Sequence, residues 1–238
     1  MNAVTAAAVL LPAAFVLGAI PFGYLAGRMR GVDLRAHGSG NIGATNVLRV
    51  LGTGPGLMVL ALDILKGWLP IAACRSLLVS SGGEIVSSAG GWLLVGTGLA
   101  AILGHTFSPF LRFQGGKGVA TSMGVLLGLS PLVAGLSCLA FVLVVALTRY
   151  VSLGSMLAAV TQATLFWLPL AGAGGGNNGA RFPTAFGLFG LLVAAFVLAK
   201  HRSNIGRLLA GTENRFGHKP PHPPAPASEP APRNPNIS

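Results

Sequence analysis

The first 27 residues carry no charged side chain. A run of that length is hard to bury in a small soluble core, whereas about 20 apolar residues suit a helix that crosses a bilayer. The first basic residue, Arg28, follows the run rather than preceding it. The run therefore reads as a retained first transmembrane helix and not as a signal peptide. Six more apolar runs follow, at about residues 55–79, 92–107, 118–128, 131–148, 151–170 and 183–199. The expected fold is all-α: a polytopic membrane protein of seven transmembrane helices, joined by short helices and loops. Hydrophobic residues make up 52% of the chain and charged residues 9%, with 35 glycines. That balance suits closely packed membrane helices and does not suit a soluble domain.

The net charge of +11 has a membrane explanation. Loop arginines and lysines fall between residues 28 and 53, at Arg112 and Lys117, at Arg149, and from Lys200 onward. The alternate connections hold only Arg181. Positive loops stay in the cytoplasm, so the N-terminus is expected outside and the C-terminus inside. The three Trp and two Tyr residues are not interleaved with a basic stripe, so no nucleic-acid partner is expected. Cys74 and Cys138 lie far apart in apolar runs and read as small buried hydrophobes. In residues 217–238, eight of 22 are proline. The expected division is a membrane domain over residues 1–216 and a disordered tail over 217–238.

Three polar segments stand out against this background. In the first, residues 38–49, Ser39, Asn41, Thr45 and Asn46 offer hydrogen bonds and Arg49 a planar cationic fork. A helix over 41–49 would put Asn41, Thr45 and Arg49 on one face, a surface fit for an oxyanion. Gly38, Gly40 and Gly43 spell G-x-G-x-x-G, but no strand precedes them, so a dinucleotide fingerprint is rejected. In the second, residues 105–121, Gly115, Gly116, Lys117 and Gly118 depart from the Walker spacing. They still suggest bared backbone, a helix N-terminus and an ammonium meeting at an anion. The third runs from Lys200 to Glu213, where His201, Asn204 and Leu208 share a helical face. The inferred topology puts all three on the cytoplasmic side. Asp63 and Lys66, three apart within an apolar run, mark either a functional site or a structural pair.

The segments GSGNIGATNVLRVLG, HTFSPFLRFQGGKGVAT and KHRSNIGRLLAGTE, with LDILKG and TRYVSLGS between them, resemble the signatures of the bacterial acyl-phosphate:glycerol-3-phosphate acyltransferases. The resemblance covers about residues 20–217. It implies a seven-span enzyme of the bacterial plasma (inner) membrane with its active site facing the cytoplasm. The implied reaction moves a fatty acyl group from acyl phosphate to the sn-1 hydroxyl of glycerol 3-phosphate. Lysophosphatidic acid and phosphate result, the first step of phospholipid synthesis.

By the same resemblance, acyl phosphate is held by Ser39, Gly40, Asn41, Thr45, Gly115, Gly116 and Gly118. Glycerol 3-phosphate is held by Arg49, Lys117, Ser152, His201 and Asn204. The catalytic set is Ser39, Arg49, Lys117, His201 and Asn204. One departure is Ser108, which stands where the family often has proline and precedes Pro109 here. Expected partners are the two substrates, membrane lipid and the enzyme that makes acyl phosphate; no cofactor or metal is expected.

No serine has a His/Asp partner at hand, which argues against an acyl-enzyme. The residues five after each histidine are Ile42, Phe110, Gly206, Pro223 and Ala227, so the His-x-x-x-x-Asp motif of other glycerophosphate acyltransferases is absent. The proton of the incoming hydroxyl then goes to His201 or, as the family suggests, to a substrate phosphate oxygen. A small-anion transporter would also use polar breaks in its helices, but no inverted repeat of the three segments is present. A purely structural scaffold leaves all three unexplained.

Overall fold

The computed structural model describes residues 3–80, 88–168 and 183–217. The connections around Glu84 and Arg181, and the proline-rich tail beyond Gly217, lie outside the described residues. Every regular element among the described residues is helical: α1 (Ala3–Ala19), α2 (Phe22–Met29), α3 (Ala44–Leu51), α4 (Thr53–Ser80), α5 (Ser88–Thr106), α6 (Val119–Leu129), α7 (Pro131–Thr148), α8 (Val151–Leu165), α9 (Thr184–Lys200) and α10 (Arg202–Leu209). Single 3-10 turns occur at Leu34–Ala36 and Pro109–Leu111.

Four helical runs are long and apolar enough to cross a membrane: Thr5–Met29, Thr53–Ser80, Ala89–Leu111 and Pro131–Thr148. The pair α9 and α10, bent by 58°, makes a fifth. The sequence led us to expect seven, and all seven apolar runs are helical. However, α6 and α8 have only 11 and 15 residues. At 1.5 Å per residue they rise roughly 16 and 22 Å, short of a hydrocarbon core of about 30 Å. α8 ends at Leu165, earlier than its apolar run suggested.

The bundle is built around α6. Most of this short helix is buried, and it packs on α4, α5 and α7. Without a hydrophobic force between helices in lipid, small residues that admit close backbone approach do the packing. A Cβ on Gly67 would overlap the Thr121 carbonyl, and one on Gly124 the Ile64 carbonyl, so α4 and α6 meet backbone to backbone. Arg75 of α4 donates to the Gly128 and Leu129 carbonyls at 2.9 and 3.4 Å, capping the end of α6 where water is scarce. The main core gathers Ile71, Leu94, Ile102, Val125, Val133 and Phe189.

A second, smaller cluster sits under the first polar segment. Ala26, Leu34, Val47 and Val59 join α2, the 34–36 turn, α3 and α4. That cluster holds the backbone of residues 37–49 against the end of the bundle.

Candidate functional site

The first polar segment is organised by Asn46, which is 2% exposed. Its Oδ1 accepts the Ser39 N–H at 2.9 Å. Its amide nitrogen shares two protons among the carbonyls of Leu34, His37 and Asn41, at 3.2, 3.0 and 2.8 Å. One side chain thus fixes both arms of the turn. Gly38 and Gly40, at φ +60° and +69°, supply the left-handed backbone that the turn requires.

The helix begins at Ala44 rather than Asn41. Asn41 accepts the Gly43 N–H through Oδ1 at 2.8 Å, a local bond that competes with helix formation. Thr45 and Arg49 share the face of α3, and Asn41 reaches the same space from the turn. Burial lowers the pKa of Arg49 from its ordinary value.

The second segment differs from expectation in a specific way. Gly115 and Gly116 do not bare their N–H groups. They donate them to the Thr106 and His105 carbonyls, at 3.0 and 3.2 Å. A Cβ on Gly115 would overlap the His105 carbonyl, and one on Gly116 the His105 ring. These glycines let the loop fold back on the end of α5 and satisfy its last carbonyls. Gly118, at φ +80°, then turns the chain into α6, whose first N–H groups have no partner within the helix.

Lys117 projects from this loop and donates to Asn204 Oδ1. Burial, reinforced by Arg207, Arg49 and Lys200, lowers its pKa to about 8, with Glu213 opposing. The departure at Ser108 also has a role: its hydroxyl donates to the Ala19 carbonyl at 2.7 Å, beside the break between α1 and α2.

In the third segment His201 sits at the bend between α9 and α10. Its Nδ1 donates to the Val197 carbonyl at 2.8 Å, which directs Nε2 as an acceptor. Burial lowers its pKa to about 4, so the ring is neutral at physiological pH. Asn204 takes the Lys117 ammonium on its oxygen and donates through Nδ2 to Glu213 Oε1 at 2.6 Å. Ser152 of α8 donates to the same oxygen at 2.7 Å, and Arg207 Nε to Oε2 at 2.7 Å.

Glu213 therefore ties α8 to α10 and, through Asn204, to the Lys117 loop. Sequence reasoning passed over it, although it is one of only five acidic residues in the chain and ends the third signature. Burial pushes its pKa up, but the hydrogen bonds from Asn204, Ser152 and Arg207 outweigh that and hold it below the usual value.

A cavity of about 280 Å³ joins the three segments. Ser39, Asn41, Thr45, Arg49, Lys117, Gly118, Ser152, His201 and Asn204 all line it, as do Asp63, His105 and Glu213. Gly40, Gly115 and Gly116, expected to hold acyl phosphate, do not line it; the N–H groups of Gly115 and Gly116 are committed to the end of α5. The remaining wall is apolar: Leu60, Ile64, Met123, Phe141 and Ala158 among others. Cys138 belongs to this wall and is exposed, not a buried hydrophobe; Cys74 is buried. Among the described residues, no three of His, Cys, Asp and Glu meet as a metal site. The cavity pairs a cationic, hydrogen-bonding end with a greasy one, a shape for an amphiphile that carries phosphate.

The comparisons with known proteins agree in kind. A family profile described as glycerol-3-phosphate acyltransferase matches residues 8–211. A glycerol-3-phosphate acyltransferase of Geobacter sulfurreducens is 46% identical over 208 residues, 87% of this chain and 96% of that protein. One from Synechococcus elongatus is 44% identical over 207 residues, 87% of this chain and 92% of that protein. The crystal structure of PlsY (YgiH), an integral membrane glycerol 3-phosphate acyltransferase, in its glycerol 3-phosphate form, superposes with a TM-score of 0.76 at 40% identity. That match covers 89% of this chain and 96% of the other. The lysophosphatidic acid form gives 0.74 at 39% identity, covering 89% and 95%. With more than four fifths of its length matched by the family profile and by full-length relatives, this chain belongs to the glycerol-3-phosphate acyltransferase family of integral membrane proteins.

Proposed function

We propose that this protein transfers a fatty acyl group from acyl phosphate to the sn-1 hydroxyl of glycerol 3-phosphate. The observation that carries the reading is a single cavity in which Arg49 and Lys117 face an apolar chamber. Both substrates are phosphates, and one also carries an alkyl chain. Ser39, Asn41, Thr45 and the start of α6 suit the acyl phosphate; Gly40, Gly115 and Gly116 serve it by shaping the backbone behind. Arg49, Lys117, Ser152, His201 and Asn204 suit glycerol 3-phosphate.

In the proposed step the sn-1 oxygen attacks the acyl carbonyl carbon. The bond from that carbon to the phosphate oxygen breaks, and phosphate leaves with the electron pair. The hydroxyl proton passes to a phosphate oxygen. The step needs no acyl-enzyme, and among the described residues no serine has a His/Asp partner. Lys117 and Arg49 stabilise the charge that gathers on the leaving phosphate. His201 is neutral and, with Nδ1 committed to Val197, orients the glycerol through Nε2.

The seven apolar helices are proposed to cross the bacterial plasma (inner) membrane, with Met1 outside and the cavity open to the cytoplasm. α6 manages this despite its length because protein, not lipid, surrounds most of it. Residues 1–216 form the acyltransferase domain and 217–238 an accessory tail. The enzyme that makes acyl phosphate is the expected partner.

The test is direct: purified protein in detergent, labelled glycerol 3-phosphate, and acyl phosphate, acyl-coenzyme A or acyl carrier protein as donor. Lysophosphatidic acid should form efficiently from acyl phosphate alone. Comparable rates with either thioester would overturn the donor assignment.

A further inference from the structure

Asp63 and Lys66 are each 2% exposed and sit inside α4, an apolar membrane helix. Their charges are 2.8 Å apart. An ion pair in such a place has a desolvation cost that two apolar side chains of similar volume would avoid. The proposed reaction uses neither residue. What they touch gives them a purpose.

Lys66 Nζ donates to the Ile20 carbonyl at 2.7 Å. Ile20 precedes Pro21, where α1 breaks from α2, and proline brings no N–H to help satisfy the carbonyls around a break. Ser108 serves the neighbouring Ala19 carbonyl at 2.7 Å. Lys66 Nζ also lies 5.4 Å from the centre of the Phe22 ring, at the first residue of α2. α2 in turn abuts the phosphate-facing turn without a gap: a Cβ on Gly23 would overlap the Ile42 carbonyl.

The second branch runs through Asp63. Its Oδ1 is 3.7 Å from His105 Nδ1. The His105 ring lies against Gly116, and its carbonyl accepts the Gly116 N–H at 3.2 Å. Gly116 immediately precedes Lys117. One ion pair thus touches the supports of both cationic arms, Arg49 through α2 and Lys117 through His105.

We infer that Asp63 and Lys66 are positioning residues that fix the separation between the Arg49 turn and the Lys117 loop. They thereby set the affinity for two phosphate groups and the rate of transfer between them. The inference rests on reading the cavity as a double phosphate site.

The test is the double variant Asp63→Leu/Lys66→Met, which removes both charges and leaves neither alone in the membrane. Thermal unfolding and gel filtration establish that it folds; a buried pair replaced by apolar groups is often neutral or stabilising. Per folded enzyme, kcat should fall about 100-fold, the effect of a misplacement near 1 Å, and KM should rise for both substrates. A folded double variant with kcat and both KM values within about threefold of the parent overturns the inference. If the double variant does not fold, the isosteric Asp63→Asn, which removes the charge facing Lys66 and His105, decides: a raised KM for both substrates supports it, and unchanged kinetics sink it. Failure of the parent to use acyl phosphate refutes the functional reading itself. A variant that matches an active parent refutes only the positioning role.

Discussion

Replacing Asn46 with alanine should dismantle the first phosphate arm, although Asn46 is not itself proposed to contact substrate; its Oδ1 also accepts from Arg49 Nη1 at 3.4 Å. The side chain makes four bonds to backbone. Two of its partners have another: the Leu34 carbonyl also accepts the His37 N–H, and the His37 carbonyl accepts the Gly40 N–H. The Ser39 N–H and the Asn41 carbonyl lose the one bond the structure gives them. Each partly buried group left unmade costs about 1–3 kcal/mol, so the native turn loses roughly 2–6 kcal/mol relative to an open one. At 1.4 kcal/mol per decade, that is on the order of 30-fold or more in kcat/KM if only the native turn binds acyl phosphate. Asn46→Asp should fare no better, since its second carboxylate oxygen would face three carbonyls. The assay is initial rate against both substrates on detergent-purified protein, with thermal unfolding to confirm the fold. An alanine variant that keeps kcat/KM within about threefold would refute the argument that Asn46 holds the turn.

Other expectations follow from the same geometry. The pKa of Lys117 is lowered to about 8 from 10.5, so between those values the unfolded chain binds more protons. The resulting penalty on the fold is complete below pH 8 and is relieved as pH rises toward 10.5. Activity should move the opposite way, kcat/KM falling above about pH 8 as the ammonium is lost; a residually active Lys117→Arg should lack that alkaline limb, and an unchanged limb would assign it to another group. Glu213 has a lowered pKa, so its stabilisation is present above the ordinary 4.5 and lost as pH falls through its folded value; Glu213→Gln should unfold at lower temperature at pH 7 and lose the acid-induced drop that Glu213 causes in the parent. Removing residues 217–238 should leave kcat/KM nearly unchanged, while cutting before Glu213 should abolish activity; a strong loss from the first truncation would give the tail a direct role. Cysteine labelling should reach positions 84 and 175 from outside and 37 and 211 from inside, and the reverse pattern would overturn the proposed orientation.

The helical fold was legible because apolar runs of membrane length leave few alternatives, and the glycines on α4 and α6 need neighbours to make sense. The lengths of α6 and α8 were less so. An apolar run says that a segment avoids water, but not whether lipid or protein surrounds it. The polar segments were found because hydrophilic groups have no cheap place in such a chain. Their inner workings were harder to read. Asn41 looked like a helix residue until its side chain took the Gly43 N–H. Gly115 and Gly116 looked like bared backbone, yet they answer the Thr106 and His105 carbonyls at the end of α5. Glu213 was invisible as a site residue because its three donors come from residues 152, 204 and 207, and only the folded chain brings them together.

The clasp around Glu213 bears on how the protein is made. Its donors lie on α8 and α10, and the next strand of the clasp, the Phe216 N–H on the Arg149 carbonyl, comes later still. Apart from Ser152, these residues leave the ribosome after all seven apolar runs. Until then Lys117 lacks the Asn204 oxygen that holds it, and the cavity has no floor on that side. Half-made or clipped chains therefore carry exposed cations but no working cradle. Under the proposed reading, a chain cut before Glu213 is therefore expected to be inactive rather than partly active.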